Sequence, residues 1–176
     1  MGAIFSSVTY RQIGNAATTQ NLFTIENTDA TVVVKIRRLV MQMDATAVLT
    51  AVMPLFKTSR CAVPTGGVTL TKTKFNSSSA SNANVIVRGS ASADGAGNAA
   101  LNATPADIVW EQFGMREHTQ VGQILAPDFD QLPVLVENVD FLLKQNEALV
   151  VHIVAAAGTS NPATNSYFIG VVWEET

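Results

Sequence analysis

The chain holds a single cysteine, Cys61, among 176 residues, which excludes an internal disulfide and gives no support to a zinc site. Histidine is nearly as scarce, with His118 and His152 far apart. Charged residues are only 14% of the chain, against about 25% in an average soluble domain. With a net charge of -3 and scattered cations there is no basic field to draw in a phosphate backbone, so no nucleic-acid partner is expected. No run reaches the roughly 18 apolar residues of a membrane span, so no membrane partner is expected either. The opening MGAIFSSVTYRQ lacks the charged and apolar regions of a secretory leader, and synthesis in a cytoplasm is the expectation. MGAIFS matches a loose myristoylation pattern with Ser6 in the key place, a pattern short enough to arise by chance.

What is present is the chemistry of β-structure. Hydrophobic residues make up 47%, and the polar remainder is mostly Thr, Ser, Asn and Gln rather than Lys and Glu. Thr and Val favour strands, and Asn, Ser and Gly favour turns, while good surface helix formers are few. The length suits one domain with a sizeable core.

Residues 1–15 carry only a weak alternation and read as an N-terminal arm or edge segment, with residues 16–176 forming one domain. TQNLFTIEN alternates, and Asn27 to Ala30 signal a turn. From Thr31 to Asp44 the apolar parity changes, with Val32, Val34 and Ile36 on one face and Leu39, Met41 and Met43 on the other. That change predicts a bulge or bend at Arg37-Arg38, a corner at which one strand can serve two sheets. The two arginines read as a solvated outer face, with a salt bridge to a neighbouring subunit as the alternative. Ala47 to Lys57 is compatible with helix or strand; Pro54 favours a strand ending there. Ser59 to Gly67 reads as a loop and Val68 to Phe75 as an alternating edge strand with gatekeeping lysines. Asn76 to Asn84 and Ser92 to Asn102 read as polar loops either side of a strand in ANVIVRGSA. Further strands are expected at Ile108 to Phe113, Gln120 to Leu125, Leu132 to Val136, Phe141 to Leu143 and Tyr167 to Trp173. The longest clean alternation runs from Leu149, with Leu149, Val151 and Ile153 on one face and Val150, His152 and Val154 on the other, both mostly apolar. Such a strand is covered on both sides. Roughly eight to ten short strands, and no convincing helix, predict an all-β, single-domain β-sandwich or jelly roll with little or no helix.

Candidate chemistry is thin. His152 between Val150 and Val154 reads as a core or interface histidine. His118 has Glu117 beside it, with no serine or cysteine nucleophile motif near. Cys61 reads as a small core thiol despite Arg60 beside it. Asp128 and Asp130 begin like a calcium loop but lack the remaining ligands. No catalytic, cofactor-binding or metal residue is assigned, and no cofactor is expected. Val150, His152, Val154, Trp110 and Met115 are the candidates for a subunit interface.

The text WEQFGMREHTQVGQILAPD, the strand pair LLKQNEALVVHIVAAAGTSNPATN and the terminal VVWEE resemble the small jelly-roll decoration, or cement, proteins of tailed bacteriophages. The likeness runs from about Leu22 to Glu175 and lies in style and strand order rather than in an invariant motif. It implies a non-enzymatic virion protein, made in the host cytoplasm, that sits on the outer capsid surface. There it would act as a homotrimer bridging copies of the major capsid protein. Under that reading Phe5, Tyr10 and Arg11 of the arm are the capsid-contact candidates. A head-fibre or tail-fibre module that binds host glycan is the alternative, with two Trp and two Tyr to build a groove. A jelly-roll metalloenzyme would need histidines the chain does not have.

Overall fold

The computed structural model describes residues 2–12, 20–44, 55–90, 101–106, 108–112, 124–125, 141–154 and 166–176, with side chains described over a narrower set at several strand ends. Its strands in chain order are β1 (Ala3–Gln12), β2 (Gln20–Asn27), β3 (Val34–Asp44), β4 (Leu55–Ala62), β5 (Val68–Thr69), β6 (Thr73–Lys74), β7 (Val85–Gly89), β8 (Ile108–Gln112), β9 (Ile124–Leu125), β10 (Phe141–Leu143), β11 (Glu147–Val154) and β12 (Ser166–Glu175). There is no helix among the described residues.

The strands form two antiparallel sheets. Sheet one runs β10-β3-β12-β1-β6, with β9 also on β3; sheet two runs β5-β7-β2-β11-β4-β8. The pairing is nested: β1 with β12, β2 with β11, β3 with β10 and β4 with β8. The chain is therefore one long antiparallel hairpin rolled on itself. Rolling places β10-β3-β12-β1 opposite β2-β11-β4-β8, the eight-strand order of a jelly roll. The sandwich expectation holds.

Alternation decides which side chains meet between the sheets. Leu149 and Val151 of β11, Phe23 and Ile25 of β2, Val85 and Val87 of β7, and Val171 and Trp173 of β12 join one buried cluster. Burying each such side chain contributes about 1.5–3 kcal/mol before the entropy cost of ordering the chain. The turn from β10 into β11 needs a left-handed residue, and Asn146 supplies it at φ 62° while its N–H donates to Asn27 O at 2.7 Å.

The bulge in β3 lies where the parity change places it. Val172 faces Arg38 and Trp173 faces Ile36, so Arg37 is the extra residue. That insertion keeps Val34 and Ile36 on one side of it and Leu39 on the other all turned inward. β3 nevertheless stays in sheet one throughout; only its edge partner changes, from β10 at one end to β9 at the other. Arg37 pairs with Glu174 of the same chain.

Of the two readings of the N-terminal segment, arm or edge strand, the described part takes the second: β1 pairs with β12 from Ala3 to Gln12, and β6 pairs with its other edge at Phe5 and Ser6. Two expectations are corrected. Ser59 to Ala62 are not loop but the second half of β4, paired with β11. Their polar side chains are tolerated there because partners meet them. Arg60 stacks over the Phe141 ring at 4.3 Å and bonds Glu147 at 3.0 Å. The stretch expected as one edge strand from Val68 to Phe75 is two fragments, β5 in sheet two and β6 in sheet one, so the chain crosses between sheets there. Lys72 anchors that crossing by donating to Asn82 O at 2.5 Å and Val85 O at 2.8 Å. The strands expected in 47–54 and 132–136 lie outside the described residues.

Candidate functional site

The outer faces of the two sheets differ in kind. On sheet two, residues directly opposed across the ladders share a face. Val150 opposes Thr24 and Ser59, Ala148 opposes Glu26 and Cys61, and His152 opposes Asn21 and Lys57. A bulge in β2 at Leu22 keeps Asn21 on this face. The face is polar in composition yet sealed: Thr24, Glu26, Ser59 and Val150 are fully buried, and His152 is 4% exposed. Cys61, Ala148 and Val150 form a second small cluster, with Ala103 packed on it. Residues 101–106 lie across this face, where Asn21 Nδ2 donates to Leu101 O at 3.1 Å and Ala103 O at 2.9 Å.

This settles why β11 is apolar on both sides. Its inner face meets the sandwich core and its outer face meets a segment of its own chain. Val150 and His152, expected as a subunit interface, are thus covered within one chain and offer no open surface to another.

The groups with potential chemistry lie on this same face or pair with it. Ser59 Oγ and His152 Nε2 are 2.9 Å apart. Arg88 donates to Glu26 Oε1 through Nε at 3.1 Å and Nη2 at 3.0 Å. Among the described residues, Asn21 Oδ1, Thr24 Oγ1, Glu26 Oε2 and His152 Nδ1 are buried without a partner. Burial, with the charge of Lys57 adding to it, lowers the His152 pKa, and the imidazole is neutral at pH 7. Burial first, and the charge of Glu26 second, push the Cys61 thiol up to about 11. The serine–histidine pair resembles part of a nucleophilic dyad, but among the described residues no carboxylate holds Nδ1, and Ser59 is fully buried. Sequence reading missed the pair, since 93 residues separate its members and only the β4–β11 register joins them.

The outer face of sheet one is open. Val8, Gly170 and Val40 lie side by side across three strands, flanked by the row Ser6, Val172 and Arg38. Val8 is 50% exposed. A groove of about 560 Å³ runs between this face and the crossing segment, with Val68, Leu70 and Phe168 in its walls. A methyl added at Gly170 would sit 3.7 Å from Val8 Cγ2, an ordinary contact, so the notch there is not demanded by packing.

The arm candidates divide. Phe5 is fully buried and stacks on Trp173 with ring centroids 5.7 Å apart, so it is a core residue and not a capsid contact. Tyr10 and Arg11 lie on β1, Trp110 on β8 and Val154 on β11, and their side chains fall outside the described set. Met115, His118, Asp128 and Asp130 lie outside the described residues altogether. Trp173 is fully buried in the core. Among the described residues no group of His, Cys, Asp and Glu is placed to hold a metal ion. Comparison of the chain with protein-family models, curated proteins and solved structures found no match.

Proposed function

We propose that the chain is a non-enzymatic structural protein of a tailed-bacteriophage virion, a capsid decoration protein. It acts as a homotrimer on the outer capsid surface and stabilises the shell by bridging major capsid proteins. The observation that carries this reading is the division between the two outer faces. Among the described residues the serine–histidine pair and the cysteine are sealed on sheet two, whereas sheet one carries an apolar stripe in which Val8 is exposed and Gly170 and Val40 are half-buried. A protein arranged this way is built to dock rather than to turn over a substrate. The rolled hairpin supports the same reading, because its terminal strands are locked together and the whole domain behaves as one clamp. The energetics are those of linkage: a ligand that binds only the assembled shell stabilises it by about 2.7 kcal/mol per site at a free concentration a hundred times Kd.

The test is light scattering on the purified chain, followed by mixing with expanded, undecorated capsids. A trimer that co-sediments with the capsids is expected. Gly170→Glu, which the backbone accommodates, and Val8→Asp each place a carboxylate in the apolar stripe; both should fold and lose at least tenfold in capsid affinity. A monomer that ignores capsids would overturn the reading.

A further inference from the structure

We propose that residues 101–106 form an acid-released strap: closed over Cys61, Ala148 and Val150 at neutral pH, it opens when His152 takes up a proton and so uncovers the outer face of sheet two. The strap, LNATPA, has no charged group of its own. Three fastenings hold it. Asn21 Nδ2 grips the carbonyls of Leu101 and Ala103. Thr65 and Asn102 exchange backbone bonds of 3.0 and 2.8 Å, and Ala106 N donates to Arg60 O at 2.8 Å. The first fastening sits directly opposite His152 in the β2–β11 ladder. The residue that grips the strap and the residue that titrates are thus cross-strand neighbours.

Among the described residues nothing compensates a proton on His152 in the closed form. Nε2 already faces Ser59, and Nδ1 has no partner among the described residues. From β4, Lys57 opposes it with like charge, and Cys61 is held neutral. From β2, Glu26 is committed through Oε1 to Arg88 of β7, and Asn21 supplies only a neutral amide. Opening lets water solvate the imidazolium. The sign follows from the direction of the shift. A base whose pKa is lower in the closed form than in the open one holds the strap fully shut above the ordinary value of 6.5. That closure is lost progressively as pH falls from there to the lowered pKa, and below it nothing further changes. Within the window the open fraction rises by up to about tenfold per pH unit.

Cys61, the one cysteine in the chain, lies under the strap and reports on it. Its reaction with dithiodipyridine, followed from about pH 7.5 to about pH 4.5 and normalised to free cysteine, should accelerate below about pH 6.5 by up to tenfold per unit. The circular dichroism of the sheets should stay constant over that range. His152→Asn should remove the pH dependence, and Asn21→Ala should raise the rate across the whole range. A flat rate in the wild type, the same slope in His152→Asn, or acceleration only together with loss of the sheet signal would each overturn the strap. None of these readouts involves a capsid, so they stand apart from the decoration reading.

Discussion

Phe5 and Trp173 are opposed residues of β1 and β12 whose rings stack inside the sandwich, 5.7 Å apart and inclined by 30°. Both are fully buried, so the pair contributes through apolar burial and through ring contact. Phe5→Ala should cost about 3–5 kcal/mol, read as a lower urea midpoint with little change in slope. A capsid-contact role would instead leave the midpoint unchanged and weaken binding alone. Trp173 also donates from Nε1 to Glu175 Oε1 at 3.1 Å, and Glu175 Oε2 accepts from Asn82 N at 2.9 Å. The stacked pair is thereby linked to the loop that leads into β7. Asp29 pins the same loop from the other side, accepting from Asn82 and Asn84 through Oδ2 and from Thr31 and Val32 through Oδ1. These hydrogen bonds hold its carboxyl well below the usual carboxylate range, and what they add to stability is full above the ordinary value of 3.8 and falls away progressively as pH drops below it.

At the scale of elements, the strands that could be read from sequence are those whose alternation matches their burial. β3, β7 and β12 show it over most of their length, whereas β2 and β11 are buried on both faces and are legible from their periodicity alone; the parity change in β3 places the bulge at Arg37-Arg38, and Arg37 is the inserted residue. β4 could not be read this way. Its buried faces carry Thr58 and Ser59, and its apolar character lies in what pairs with it rather than in its own side chains. β5 and β6 were legible as strand-like text but not as two pieces in different sheets, because a crossing between sheets leaves no periodic mark. The sealed site was hidden for a related reason. It depends on residues 101–106 folding back over a sheet face, and nothing in LNATPA signals where it will lie. The bulge itself can be tested. Deleting Arg37 removes the extra residue and leaves Ile36 opposite Trp173 and Arg38 opposite Val172, so Val34, Ile36 and Leu39 all stay turned inward. The deletion variant and Arg37→Ala, each losing the Glu174 pair, should therefore both keep a cooperative thermal transition; loss of the transition in the deletion alone would show that Arg37 is not a bulged residue.

For the whole molecule, the nested hairpin makes the two ends of the chain interdependent. Ala3 pairs with Glu175 and Gln12 with Ser166, so β1 covers one edge of β12 along its full length while β3 covers the other. Gly2 N and Arg37 both bond Glu174, and Thr176 exchanges backbone bonds with Val33. A terminal arm that orders only on a partner could be cut away with the domain left intact. A terminal strand that closes the core cannot. Removing residues 2–12 takes Phe5 from against Trp173 and exposes the β12 edge over ten paired positions. The truncated chain should therefore lose its thermal transition and self-associate, seen as heterogeneous light scattering at concentrations where the full chain is uniform. If it folded with the transition of the full chain and lost only capsid binding, the arm reading would be right, and the pairing of β1 would contribute little to closing the roll.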